Sequence, residues 1–255
     1  MPAEDALVNA FYIIVMGIMP YIAAIVFTGG LIYRIATWLR SSQKSQLSNP
    51  KKSGTIERII NVIKGLILEV LFLRRVYRGS RKLWLVTWPT HIAILGMLIG
   101  HSRLVAELTP IWNLFNMTQE DIEFFSGLSG SIVGAIMIGG LMILLLRRIV
   151  VKEVRGISVL DDYVLLALLL VKGALGMTMR LIPEAHVLVS EEIRPYFVNV
   201  LAFNPWPFIA SASNPYFAMH LLIVEIFMIY FPFSKLIHVI NITISGVIKG
   251  ISKKP

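Results

Sequence analysis

LWLVTWPTHIAILGMLIGHSRLV, residues 83–105, is an almost uninterrupted apolar run whose one charged side chain, Arg103, lies near its far end. A helix rises about 1.5 Å per residue, so about 20 such residues cross a hydrocarbon core about 30 Å thick. This stretch therefore reads as a membrane span. Residues 10–32, 129–146, 163–181 and 216–237 meet the same test. Together the five predict an all-α integral membrane protein, a bundle of five transmembrane helices in a single domain over residues 1–255. The first span follows Glu4 and Asp5 and lacks a basic leader, so it reads as a retained anchor.

Composition supports this class. Hydrophobic residues make up 56% of the 255, charged residues 15%, and mean hydropathy is +0.74; soluble domains carry about 25% charged residues. The net charge of +9 does not indicate nucleic acid, because the bases cluster between apolar segments and not along a helix interleaved with aromatics. With no cysteine there is no disulfide, no iron–sulfur cluster held by this chain and no covalent haem attachment.

The bases also orient the bundle. Residues 34–82 hold twelve of the 24. Arg147, Arg148, Lys152 and Arg155 fall in the turn between the third and fourth spans, and Lys235, Lys249, Lys253 and Lys254 at the C-terminal end. The opposite side carries Glu107, Glu120, Asp121, Glu123, Glu184, Glu191 and Glu192. Positive charge stays inside, which predicts an N-terminus outside and a C-terminus in the cytoplasm. Residues 41–82 form a cytoplasmic insertion. Its first part, SSQKSQLSNPKKSG (41–54), has linker composition. TIERIINVIKGLILEVLFLRRVYRG (55–79) sets Ile59, Ile60, Ile63, Leu66, Ile67 and Val70 at helical spacing among bases, an amphipathic helix for the membrane face or a partner subunit. Gly130 and Gly134 form a small-residue pair suited to packing inside the bundle.

Four of the five histidines lie in two spans threaded in opposite senses: His91 and His101 in the second, His220 and His238 in the fifth. Ionisable groups at membrane depth are costly and usually functional. The threading sets His101 beside His220 near the outer face and His91 beside His238 near the inner face. Eighteen residues are five whole helical turns, so His220 and His238 are expected on one face. Two imidazoles at each depth suit two six-coordinate b-type haems stacked across the bilayer, with Gly96 and Gly100 letting a porphyrin edge approach the backbone. Structural zinc needs four converging ligands, which these spacings disfavour. A proton-coupled transporter or channel using the histidines as a relay is the alternative, with Glu225 and Lys172 as companions.

The strings WPTHIAILGMLIGH (88–101), LTPIW (108–112) and MHLLIVEIFMIYFPFSKLIH (219–238) resemble the second and fifth helices of the gamma subunit of respiratory nitrate reductase; PYIAAIVFTGG (20–30) and KGALGM (172–177) are weaker matches. The resemblance covers all five spans. It implies a dihaem cytochrome b, a subunit of a quinol oxidoreductase complex that takes electrons from a quinol such as menaquinol and passes them to a cytoplasmic iron–sulfur subunit. The setting is the cytoplasmic membrane of a bacterium or archaeon. It further implies His101/His220 as axial ligands of the outer haem and His91/His238 of the inner. Arg34, Arg147, Arg148, Arg155 and Lys235 become candidate propionate partners, and His186, Arg103 and Gly100 candidate quinol-side residues. The long insertion is more similar to the membrane subunit of Dsr and Hdr-like complexes, whose partner resembles heterodisulfide reductase. Pro195, Pro205, Pro207 and Pro215 suggest a rigid lid over the outer face.

Overall fold

The computed structural model describes residues 2–46, 60, 63–65, 67–187, 189–209 and 212–237. Among them, five helices are long and apolar enough to cross a membrane: Ala6–Arg40, Arg81–Leu104, Gln119–Val150, Leu160–Leu181 and Pro215–Phe233. Large apolar side chains cover their outer surfaces, among them Ile25, Leu98, Ile132 and Val171, as lipid contact requires.

Local chemistry explains most of the boundaries. Ser80 caps the second span, its hydroxyl accepting from the Leu83 amide at 3.2 Å. Thr118 and Asp121 form a reciprocal capping box that starts the third helix ten residues before the expected span. Glu120, Asp121 and Glu123, expected in a loop, therefore occupy its first turns, where carboxylates favour the helix dipole. Asn214 caps the fifth span, accepting from the Tyr216 and Phe217 amides at 2.9 and 3.3 Å.

The fifth span ends sooner than expected. Its α-helix stops at Tyr230, 3₁₀ turns follow at Phe231–Phe233 and Lys235–Ile237, and Ser234 between them is extended. Pro232 lacks the amide that another α turn needs. The helix from His220 is thus not continuous to Ile237, and the expectation that His220 and His238 share one face falls on His238, which lies outside the described residues.

The first span contains a π-helical turn, Ile13–Ile18, whose Val15, Met16 and Gly17 are buried. Of the expected amphipathic helix, the described part comprises helical residues 60 and 63–65, a π turn, Ile67–Leu71, and a helix, Arg74–Gly79, the last two separated at Leu73, where φ is 46°. Trp84 and Trp88, stacked on each other, donate their indole N–H groups to the Phe72 and Leu71 carbonyls, both at 2.8 Å, and so hold this segment on the second span.

The fifth span packs between the first and fourth, the fourth against the third, and the third against the second. The second and fifth spans pack less closely on each other than on these neighbours, and Ala93, Ile94 and Met97 of the one join Phe227 of the other in a single apolar cluster. Small residues set the close contacts. A Cβ on Gly140 would collide with the Thr90 hydroxyl, and one on Gly134 would meet the Met177 sulfur at 2.5 Å. The Gly130–Gly134 pair thus serves packing within the bundle, against Arg180 and Met177.

A candidate paired-histidine site between the second and fifth spans

Between these two spans, the His101 and His220 rings stand 6.5 Å apart between centroids, with their planes inclined by 19°. His101 Nδ1 is 2.7 Å from the Met97 carbonyl one turn back. A ring nitrogen facing a carbonyl must carry the proton, which leaves the lone pair on Nε2. His91 Nδ1 faces the Thr87 carbonyl in the same way, at 2.7 Å. His220 Nδ1 is buried without a well-formed hydrogen bond. Its ring is backed by Gly176, where a Cβ would lie 3.3 Å from His220 Cε1; only glycine leaves the ring its full width there.

Among the described residues, no three histidine or carboxylate groups gather as a metal cage. What gathers is a pair. Two imidazoles brought together from two spans suit a metal whose remaining positions are filled by something other than protein.

Two ion networks bracket the site. At the end nearer His101, Arg103 is buried and donates to both Glu107 oxygens, at 2.7 and 3.1 Å, to Glu123 at 3.2 Å and to Ser126. Arg194 and the Trp112 indole share the Glu107 carboxylate. Burial alone would raise the Glu107 pKa; the Arg103 and Trp112 hydrogen bonds and the two guanidinium charges outweigh it and hold the carboxyl at about 2. At the other end, buried Asp162 pairs with Arg148 at 3.2 Å and Lys235 at 3.0 Å, while Tyr230 donates to Asp161. Arg34 donates to the Pro232 carbonyl at 3.0 Å.

The residues read from the sequence therefore separate. His101 and His220 come together. His91 lies in the second span ten residues away, and its expected partner His238 falls outside the described residues. Arg148 and Lys235 meet on Asp162, Arg34 binds backbone, and Arg147 and Arg155 are exposed. Arg103 is committed to its network, His186 is exposed in the loop, and Gly100 has open space where a Cβ would point.

Sequence reasoning saw Lys172 only as a companion of a histidine relay and did not place it, or Arg180, beside the paired rings. Lys172 and Arg180, both on the fourth span, lie close enough to act electrostatically on His101. The Lys172 ammonium sits 4.4 Å from the Phe227 ring centroid, and Arg180 donates to the Ser126 carbonyl at 3.0 Å. KGALGM (172–177) contained the signal: a lysine one residue before a glycine inside an apolar run.

Known proteins resemble this chain in sequence. The chain is similar to the Hdr-like menaquinol oxidoreductase cytochrome b-like subunit of Archaeoglobus fulgidus, 29% identical over 87% of this chain and 74% of that protein. It is similar to the respiratory nitrate reductase 1 gamma chain of Escherichia coli, 27% identical over 89% of each. A subunit of the dihydromethanophenazine:CoB–CoM heterodisulfide reductase of Methanosarcina barkeri is 27% identical over 72% of this chain and 65% of that one. The family model for the nitrate reductase gamma subunit matches residues 76–250, a stretch holding four of the five spans and His91, His101, His220 and His238. A multi-pass protein of the cytoplasmic membrane whose second span carries His91 and His101 and whose fifth carries His220, the chain belongs to the nitrate reductase gamma subunit family of cytochrome b-like subunits of oxidoreductase complexes.

Proposed function

We propose that the chain is the dihaem cytochrome b subunit of a quinol oxidoreductase complex, oriented with its N-terminus outside. The observation that carries this reading is the spacing of His101 and His220. A metal–imidazole bond is about 2 Å and the ring centroid lies about 1.1 Å beyond the nitrogen, so two imidazoles on one metal have centroids about 6.3 Å apart. The rings stand at 6.5 Å. Met97 and Thr87 fix the tautomers of His101 and His91 with the proton on Nδ1, so that Nε2 is the nitrogen suited to a metal.

His101 and His220 would hold the outer haem, His91 and His238 the inner one. Two bis-imidazole haems supply one-electron carriage across the bilayer and leave no open iron position for oxygen. Around them the chain binds, orients and shields. Lys172 and Arg180 place positive charge beside the outer pair. The 189–209 segment closes over the first span, with Tyr196 donating to the Met16 carbonyl at 2.8 Å. Quinol would dock at this outer end, near Gly100, Arg103 and His186, and release its protons outside. Arg34, Arg147, Arg148, Arg155 and Lys235 would serve the inner haem's propionates. The insertion would receive a cytoplasmic iron–sulfur subunit, Hdr-like or nitrate reductase-like, in keeping with the relatives' names.

The absorption spectrum of the purified complex tests this. Two b-type haems per chain after dithionite reduction support it. A correctly assembled but colourless protein would overturn it in favour of the histidine-relay transporter.

A further inference from the structure

Glu225 stands near the middle of the fifth span, is 1% exposed, and neither of its carboxyl oxygens has a hydrogen-bond partner. Five residues from His220, it lies about 7.5 Å farther along the helix and about 140° around it. The helix thus carries two different stripes. His220 and Phe227, two turns apart, share the side that meets Lys172. Glu225 continues the line Phe217–Leu221, buried against Met16 and Tyr196.

An ionised carboxylate with no partner at this depth is strongly disfavoured, and a protonated one still leaves its hydroxyl unmatched. Leucine would fill the same space at no such cost. A position held by glutamic acid under these conditions points to a group that changes its proton. The surroundings agree. The π-helical turn Ile13–Ile18 packs on this part of the fifth span, and such turns recur at functional sites. The Tyr196 phenol is raised above its ordinary pKa by burial and, next, by the Glu225 carboxyl, so the two groups sense each other.

The other titratable groups on elements packed around the fifth span are spoken for or face outward. On the first span, Tyr21 donates to the Val200 carbonyl and Arg34 to that of Pro232, while Tyr33 and Arg40 are exposed. On the fourth, Lys172 covers Phe227, Arg180 binds the Ser126 carbonyl, and Tyr163 donates to the Arg148 carbonyl. Asp161 and Asp162 are engaged by Tyr230, Arg148 and Lys235. Glu184, in the turn at Pro183–Ala185, is exposed. Tyr12 of the first span packs half-buried on the apolar cluster of Phe217 and Leu221, and the variable charge we assign to Glu225 is one arising at the histidine pair, five residues back along its own helix.

We propose that Glu225 is a redox-linked proton site: it binds one proton as one electron reaches the iron held by His101 and His220, and releases it as that electron leaves. The inference rests on the dihaem reading above. Quinol supplies the electron, water supplies the proton, and the net charge of the buried region stays constant. At a separation on the order of 10 Å and an effective dielectric of about 20, one unit charge alters proton affinity roughly tenfold.

Potentiometric titration of the outer haem across pH, in the whole complex, tests it. The midpoint potential should fall with rising pH in the wild type, lose that slope in Glu225→Gln, and keep it in Glu225→Asp. A slope unchanged in a Glu225→Gln protein that retains both haems overturns this inference alone. A wild type without haem overturns the dihaem reading as well. Should Glu225→Gln fail to assemble, the redox infrared difference spectrum of the wild type decides: a protonated-carboxyl band in the reduced state that shifts in D₂O supports the site, and its absence overturns it.

Discussion

Arg194 Nε donates to the Arg103 carbonyl oxygen at 2.8 Å, a bond across 91 residues that ties the loop before the fifth span to the end of the second, two residues past His101. The same guanidinium reaches Glu107, which Arg103 also holds. One carboxylate thus joins the end of the second span to the segment that leads into the fifth, and its ionisation has a predictable consequence. The Glu107 pKa is depressed to about 2 from an ordinary value of 4.5. Stability from a depressed carboxyl is fully present above the unfolded value and is lost as pH falls through the folded one. Replacing Glu107 by Gln should lower stability by roughly 1–2 kcal/mol at neutral pH after allowance for solvent screening. That deficit should shrink steadily from about pH 4.5 and be nearly gone at about pH 2. Thermal melts in detergent at several pH values measure it. A deficit that does not change with pH would show that the network contributes only packing.

The ligand pairing gives the second prediction. His101→Ala and His220→Ala should each remove one haem and spare the other, and the double variant should lose no more than either single one. Pyridine haemochrome stoichiometry counts the haems directly. Loss of different haems in the two variants, or of neither, would contradict a shared iron.

Helix contacts give the third. At Gly140 a Cβ would run into the Thr90 hydroxyl, whereas at neighbouring Gly139 nothing lies within 4 Å. Gly140→Ala should destabilise the packing of the second and third spans by about 1–3 kcal/mol, as overpacked cores do. Gly139→Ala should be neutral or slightly stabilising, because alanine favours helix over glycine. Thermal melts of the two variants compare adjacent residues within one helix. Equal effects would argue against the Thr90 contact.

The uneven legibility of this chain has physical causes. Hydrophobic length reveals spans because the bilayer imposes it, and antiparallel threading placed His101 opposite His220 without any knowledge of packing. Boundaries set by short-range chemistry were harder. The Thr118–Asp121 capping box and the Pro232 break were both written in the sequence, yet each was outweighed by the apolar pattern around it. The π turn at Ile13–Ile18 leaves no pattern in residue type. Arg103 showed its charge but not its partners, since Glu107, Glu123 and Arg194 converge only in the fold. Lys172 and Glu225 were visible as intramembrane charges, but which helix face each occupied depended on the order in which the spans pack.

Lys172 supplies the last prediction because its position separates electrostatics from ligation. Its ammonium lies over Phe227, two turns from His220 on the same helix face, and it acts electrostatically on both His101 and His220. It is not a ligand, so Lys172→Gln should keep both haems. A positive charge near an iron favours the reduced state, and its removal should lower the outer haem's midpoint potential. At a distance on the order of 10 Å and an effective dielectric of about 20, the shift is about 50–70 mV for a one-electron couple. The inner haem, farther along the bundle, should move much less. Potentiometric titration resolves the two, and Lys172→Arg, which keeps the charge, should restore most of the potential. A Lys172→Gln protein with unaltered potentials would mean that the ammonium is screened from the pair, and one lacking a haem would mean that the lysine is needed to build the site, not to tune it.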